Sequence, residues 1–184
     1  MIVDLNLQGK LVTVIGGGNE ALRRITSLLK QKCEIIVISS KTNSQINKLA
    51  KSKRIILKNQ HVRDASFLSK YKPDMVICTT SNSELNAKII LDAKRSRILA
   101  YSSDNPEESD FANPAIIDFE NIIQIAVFTG GRSPAMSKKL KKEAKKIFKE
   151  IITKRDLELI KIQKIVRELA KEKIPTYLER SPWR

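Results

Sequence analysis

Five short apolar runs, separated by amphipathic stretches, set the pattern of the first 112 residues. The runs lie at residues 10–15, 34–39, 54–57, 74–79 and 97–101, and they are rich in Ile, Val and Leu with no polar alternation. Uninterrupted apolar strands of this length are what a sheet covered on both faces requires. Between them the apolar positions change to a spacing of three and four. Leu22, Ile25 and Leu29 mark a helix over 20–31, shorter helices are predicted at 44–50 and 65–71, and Leu85, Ile89 and Ala93 mark one over 83–95. Strands alternating with helices predict an α/β fold with a parallel sheet covered on both faces. After Asp110 the pattern changes. Residues 122–128 form the one run that approaches strand alternation, and two long helices follow. The first starts at Ser133 and Pro134, a favoured N-cap followed by a proline suited to the first helical position, and runs to about residue 152. Met136, Leu140, Ala144, Ile147 and Ile151 form its stripe, and the second helix spans about 157–171.

Composition narrows the class. The 184 residues are 41% hydrophobic and 30% charged, as in a protein with a sizeable core. No apolar run approaches the roughly 20 residues of a membrane span. Residues 1–4 lack the basic-then-apolar pattern of a secretory signal, so a cytoplasmic protein is expected, with no membrane partner. Cys33 and Cys78 are isolated and sit in apolar runs, which makes them core residues; His61 is the lone histidine, so no metal site is assigned.

The net charge of +15 points to an anionic partner, or to a cell adapted to high temperature or salt. Residues 133–184 hold 16 Lys or Arg against 7 Asp or Glu, so most of the excess lies in the last third. Aromatic residues make up 5% and do not interleave with the basic ones, which argues against base stacking by single-stranded nucleic acid.

The candidate chemistry begins after the first strand, at Gly16-Gly17-Gly18-Asn19-Glu20-Ala21. Gly16, Gly18 and Ala21 fit the pattern of a dinucleotide turn. One glycine permits the bend, another admits a pyrophosphate, and a small residue packs helix on strand. The second strand ends in Ser39-Ser40-Lys41, where a ribose-binding carboxylate is common. Two hydroxyls and a lysine leave NAD and NADP both open. Thr79 and Thr80 end the fourth strand on the carboxyl edge of the sheet, where such sheets bind ligands. Asp104 follows the fifth strand on the same edge; by itself it reads either as a general base or as a turn residue before Asn105-Pro106. Asp110 and Asp118 read as caps or turn residues. Thr129-Gly130-Gly131-Arg132-Ser133 is a second glycine loop opening a helix, and it reads equally as an anion site or a helix cap.

Taken in order, these segments resemble the precorrin-2 dehydrogenase family, which includes the N-terminal module of sirohaem synthases. The resemblance rests on Leu7-Gln8-Gly9, Gly16 to Ala21 with Arg23 or Arg24, Thr79-Thr80-Ser81-Asn82 and Asn86. It continues through Asp104-Asn105-Pro106, Phe111, Pro114-Ala115-Ile116-Ile117-Asp118 and Thr129 to Pro134, and so covers about residues 1–150. It implies NAD-dependent oxidation of precorrin-2 to sirohydrochlorin, with metal chelation by the same site in some members. It implies an α/β fold with a Rossmann-like parallel sheet, forming an NAD-binding domain at 1–112, then a dimerisation segment at 113–145, a helical C-terminal part at 146–184, and a homodimer. Asp104 matches the catalytic aspartate. Asn19 and Glu20 match the cofactor-contacting pair after the glycines, and Ser40 and Lys41 the pair after the second strand. The substrate implied by the resemblance is a tetrapyrrole polycarboxylate, and Thr129, Gly130, Gly131, Arg132, Ser133 and Lys138 are the expected carboxylate holders. The chain departs from the family at Tyr101, where Asn is frequent, and at Ser102-Ser103, which replace apolar residues. An NAD-sensing DNA-binding regulator is the rival reading, but the long tail helices meet at a Lys-Arg-Asp junction and not at the compact turn of a helix-turn-helix. A nucleotide-gated regulatory domain of a membrane transporter is a second, and it leaves Asp104 and the second glycine loop without a task.

Overall fold

The structure is a computed structural model that describes residues 2–172, with the side chains of residues 171 and 172 left aside. The chain divides into two units, residues 1–112 and 113–184.

The first unit is built on β1 (Leu11–Ile15), β2 (Glu34–Ile38), β3 (Ile56–Lys58), β4 (Met75–Cys78) and β5 (Leu99–Ser102). All four pairings are parallel, in the order β3-β2-β1-β4-β5. The crossovers are α1 (Asn19–Leu28), α2 (Ser44–Lys51), α3 (Ser66–Tyr71) and α4 (Ser83–Arg95). Alternate residues of each strand face opposite sides, and this splits the core in two. Val12, Val14, Ile35 and Val37 pack with Ala21, Ile25 and Leu28 of α1 and Ile46 of α2. Ile15, Ile36, Ile38, Val76 and Cys78 pack with Phe67 and Leu68 of α3 and Ile89, Ile90 and Ala93 of α4. The absence of polar alternation in β1, β2 and β4 is thus explained: almost every residue of these strands is buried, on both faces.

The strand order reverses between β1 and β4. One connection runs outward through β2 and β3, the other through β5, and the loops diverge to open a crevice at the carboxyl edge. This switch point is where ligands of open α/β sheets bind. The edge strand β5 is held from outside by the chain that follows it. Asp110 donates its N–H to the Ala100 carbonyl and accepts the Ala100 N–H on its carboxylate, both at 2.8 Å. The Ser109 hydroxyl accepts the Ser102 N–H at 2.9 Å. These bonds fasten the loop that carries Asp104. Asp110 is therefore a side-chain staple on an exposed sheet edge, not the cap or turn expected of it.

The second unit holds β6 (Ala115–Phe119), β7 (Ile123–Val127), α5 (Pro134–Ile151) and α6 (Lys154–Glu172). The two strands pair antiparallel. Only the second was expected from the sequence. Ala-Ile-Ile-Asp-Phe shows no alternation, and its fully buried side chain is Ile117 alone, so pairing with β7 and not pattern makes it a strand. The turn between them is closed by Ile122 N–H to the Phe119 carbonyl at 3.0 Å, and Asp118 accepts the Asn121 N–H at 2.8 Å, as a turn residue should. The Ser133 hydroxyl caps α5 by accepting the Met136 N–H at 3.2 Å, with Pro134 in the first turn. Residues 173–184, the end of the helical part expected at 146–184, lie outside the described residues. Among the described residues no helix is long and apolar enough to cross a membrane.

Candidate dinucleotide cleft and the Asp104 cluster

A cleft of about 720 Å³ opens at the switch point. Gly16, Gly17 and Gly18 form its floor, Ser39 and Ser40 one wall, Thr79 to Asn82 the other, and Gln60 to Arg63 with Leu85 and Lys88 its far end. The local sequence explains its shape. Gly16 has φ +113°, a conformation L side chains rarely adopt, and its Cβ would come within 2.5 Å of the Thr79 hydroxyl. Its N–H donates to the Ile38 carbonyl at 3.0 Å, so the bend starts as a continuation of the sheet. Gly17 is the most crowded: a Cβ there would lie 2.2 Å from the Lys41 carbonyl oxygen, because the loop after β2 folds across it. Gly18 meets nothing within 4 Å and is the N-cap of α1, with no side chain capping that end. The first-turn N–H groups of α1 and the open space at Gly18 together suit an anionic group held against the backbone. A dinucleotide pyrophosphate fits this cradle.

Of the cofactor residues expected from sequence, Gly16, Gly18, Ser40, Thr79 and Thr80 line the cleft. The others lie close by but are engaged elsewhere. Asn19 accepts from the Asn43 amide at 2.8 Å, tying α1 to the β2–α2 loop. Glu20 pairs with Arg23 at 2.9 Å and Arg24 at 2.7 Å. Ala21 is fully buried and serves the packing of α1 on the sheet. The Lys41 carbonyl accepts from the Ser39 hydroxyl at 2.7 Å. Sequence reasoning passed over Gly17, Arg63 and Lys88, and gave His61 no role although it lines the cleft. Gly17 was legible as the middle of three glycines. Arg63 and Lys88 were not, because the β3–α3 loop and α4 meet only in three dimensions.

Asp104 is exposed, yet its carboxylate is anchored. Its Oδ1 accepts from the Asn86 amide at 3.0 Å and from the Ser102 hydroxyl. Ser83, at the start of α4, bonds the same carboxylate. Partial burial pushes the Asp104 pKa up, but the bonds from Ser102, Ser83 and Asn86 outweigh it and hold the group below the usual aspartate value. Asp104 is thus an ionised carboxylate, fixed in place and open to solvent. Asn86 in turn bonds Thr80 of the cleft wall, so the Asn86 side chain links Asp104 to the cleft. Beside Asp104 the Cys78 thiol is buried and pushed up to about 12, first by burial and then by the Asp104 charge. It is neutral and inert, as a core cysteine should be.

In the second unit, Gly130 and Gly131 have φ +66° and +76°, so the loop needs both glycines. The Thr129 hydroxyl lies 2.9 Å from that of Ser137 and accepts the Ser133 N–H, and Ser133 is spent on capping α5. These hydroxyls build the loop. Arg132 and Lys138 are exposed and remain the charged groups it presents.

Residues 3–115 match the family described as "Putative NAD(P)-binding", and the chain belongs to it. Among curated proteins it is 29% identical over 143 residues to the probable multifunctional siroheme biosynthesis protein HemA of Ruminiclostridium josui, covering 78% of this chain and 27% of that protein. It is 30% identical over 139 residues to the siroheme synthase of Nitrosococcus oceani, covering 76% of this chain and 29% of that one. The chain therefore spans less than a third of the length of these relatives. Among solved structures, SirC, a precorrin-2 dehydrogenase, matches with TM-score 0.68 and 23% identity over 78% of this chain and 69% of that chain, a likeness of fold. The resemblance to the precorrin-2 dehydrogenase family read from the motifs is supported by all three, and they lend nothing to the DNA-binding alternative.

Proposed function

We propose that this chain oxidises precorrin-2 to sirohydrochlorin with NAD as oxidant, in the cytoplasm, as a step of sirohaem biosynthesis. The observation that carries this is the anchored, exposed Asp104 carboxylate, joined through Asn86 to the wall of a dinucleotide cleft. NAD, when bound, supplies the acceptor for the hydride. The chain's own residues do the rest. Gly16, Gly18 and the first-turn N–H groups of α1 hold the pyrophosphate, and Thr79 and Thr80 bound the nicotinamide side of the cleft. Asn19 and Glu20 brace the glycine turn, and Ser40 bounds the adenosine ribose, with Lys41 in the loop beside it. Asp104 takes the proton that the substrate loses along with its hydride. Its depressed pKa keeps it ionised, and so competent as a base, throughout the neutral range.

The substrate class fits the charge. A tetrapyrrole bearing several carboxylates is drawn by a field of +15, and Arg132, Lys138 and the N–H groups of Gly130 and Gly131 are the candidate holders on the second glycine loop, with Thr129 and Ser133 shaping it. The segment 113–145 acts as a dimerisation segment, with 146–184 as a helical part beyond it. Support comes from Phe128, Met136 and Leu140, large apolar side chains exposed within that segment. Leu140→Glu is expected to turn a dimer into a monomer in sedimentation.

The test is anaerobic conversion of precorrin-2, generated in situ, followed by absorbance with NAD and with NADP in parallel. Sirohydrochlorin should form with NAD and be lost in Asp104→Ala. Folded, NAD-binding protein that makes no product would end the reading. Adding Fe²⁺ or Co²⁺ to the product then asks whether the same chain inserts the metal.

A further inference from the structure

We infer that Asn86 is a positioning residue for this reaction: its amide, locked by Thr80, clamps one oxygen of Asp104 and joins the base to the wall of the cofactor cleft. The inference rests on the dehydrogenase reading and adds to it a residue with no direct contact to substrate.

The first argument is the position of Asn86 itself. It is 1% exposed, on a helix face whose other buried members are Ile89, Ile90 and Ala93. An amide in such a place is costly unless its hydrogen bonds are made. Here they are made, and all lead toward the candidate site. The Asn86 Nδ2 donates to the Thr80 carbonyl and to Asp104 Oδ1, both at 3.0 Å, and its Oδ1 accepts from the Thr80 hydroxyl at 2.6 Å. A carbonyl and a carboxylate only accept, so the nitrogen must face them, and the amide has one possible orientation.

The second argument concerns Asp104. It sits on a loop, exposed, where a carboxylate would otherwise sample several rotamers. Ser102 and Asn86 both engage Oδ1, which takes up that oxygen's two lone pairs. Oδ2 keeps capacity, so it is the oxygen that receives the proton released when the substrate loses its hydride. The groups that face the carboxylate are Ser83 and Asn86 from α4, Ser102 from β5 and the neutral Cys78 thiol from β4. Each of these is uncharged. Orientation and ionisation of Asp104 therefore depend on hydrogen bonds, and Asn86 is the one donor among them that also grips the cleft wall.

The experiment uses the full chain with precorrin-2 and NAD, and compares wild type with Asn86→Asp, which keeps the shape and removes the donor. We expect kcat at neutral pH to fall about tenfold or more, with KM for NAD within about threefold. The acid limb of kcat should move up by about one pH unit, because a second carboxylate opposes ionisation of the first. A ligand-free readout accompanies it: carboxyl ¹³C titration of Asp104 should show its pKa raised in the variant. Thr80→Val, which removes the hydroxyl bond to the Asn86 oxygen and leaves the backbone one, should lower kcat in the same direction by a smaller factor, and Thr80→Ser should restore it. If Asn86→Asp fails to fold, the Thr80 pair decides. A variant that folds with wild-type kcat, wild-type acid limb and unchanged Asp104 titration overturns the inference while leaving the dehydrogenase reading intact. A wild-type chain that binds NAD but makes no sirohydrochlorin ends both.

Discussion

The Arg24 guanidinium donates to the Tyr101 hydroxyl at 2.7 Å and stands over the same ring, 4.7 Å from its centroid. Arg24 also pairs with Glu20 at 2.7 Å, and Tyr101 stacks on Phe111 with centroids 5.3 Å apart. The first turn of α1 is thereby tied to β5, two residues before the loop of Asp104. Tyr101→Phe keeps the stacking and loses one hydrogen bond. It should cost about 1 kcal/mol, roughly 2–4 °C in Tm. Arg24→Ala removes that bond, the ring contact and the partner of Glu20 at a side chain only 13% exposed, and should cost about 2–3 kcal/mol. Thermal unfolding of the two variants checks the order; equal losses would mean that the hydroxyl alone carries the contact.

Neighbouring glycines should behave oppositely. Gly17→Ala drives a methyl into the Lys41 carbonyl, backbone against backbone, and should destabilise the fold by about 1–3 kcal/mol or more. Gly18→Ala meets open space and should fold with nearly unchanged Tm. Its methyl stands where the cleft backbone must approach a phosphate, so NAD affinity should fall about tenfold, close to 1.4 kcal/mol. Calorimetry of folding and of NAD binding separates the two effects.

The Asp104 pKa is depressed in the folded chain, so the sign of its contribution is set. A carboxylate of this kind stabilises the fold above its unfolded value, near 3.8, and loses that contribution as pH falls through the lower folded value. Asp74, lowered by its bonds to the Leu11 N–H and Lys10, acts in the same direction. Stability should hold on descending from pH 7 toward 5 and fall below about pH 4. Ser102→Ala removes one donor to Asp104 and should shift that carboxylate's titration upward, toward the usual value. An unchanged titration would show that the Ser102 bond contributes nothing to the depression.

Cys78 should resist modification. With its pKa pushed to about 12, the thiolate fraction at pH 8 is on the order of one in ten thousand, and the residue is buried as well. Cys33 is half-buried and raised chiefly by burial. A thiol reagent should label Cys33 slowly in the native chain and Cys78 only with unfolding. Native labelling of Cys78 would mean that the carboxyl end of β4 opens.

Much of this was legible in the chain. The uninterrupted Ile, Val and Leu runs determine a parallel sheet covered on both faces, since no other arrangement hides both sides of such strands. Gly16 to Ala21 between a strand and a helix determine the turn, because the bend at Gly16 needs a backbone that glycine alone adopts freely, and Ser133-Pro134 determine the start of α5 for an equally local reason. What tertiary structure decided is everything that depends on residues far apart in sequence. Gly17 is indispensable because the loop after β2 crosses it, and nothing in residues 16–18 announces that loop. Ala115–Phe119 is a strand because β7 lies beside it. Asp104 could be a turn residue or a base from its local sequence. Its character comes from Asn86, Ser102 and Ser83, which α4 and β5 bring to one carboxylate, and hydrogen bonds between elements leave no period in the chain from which to read them.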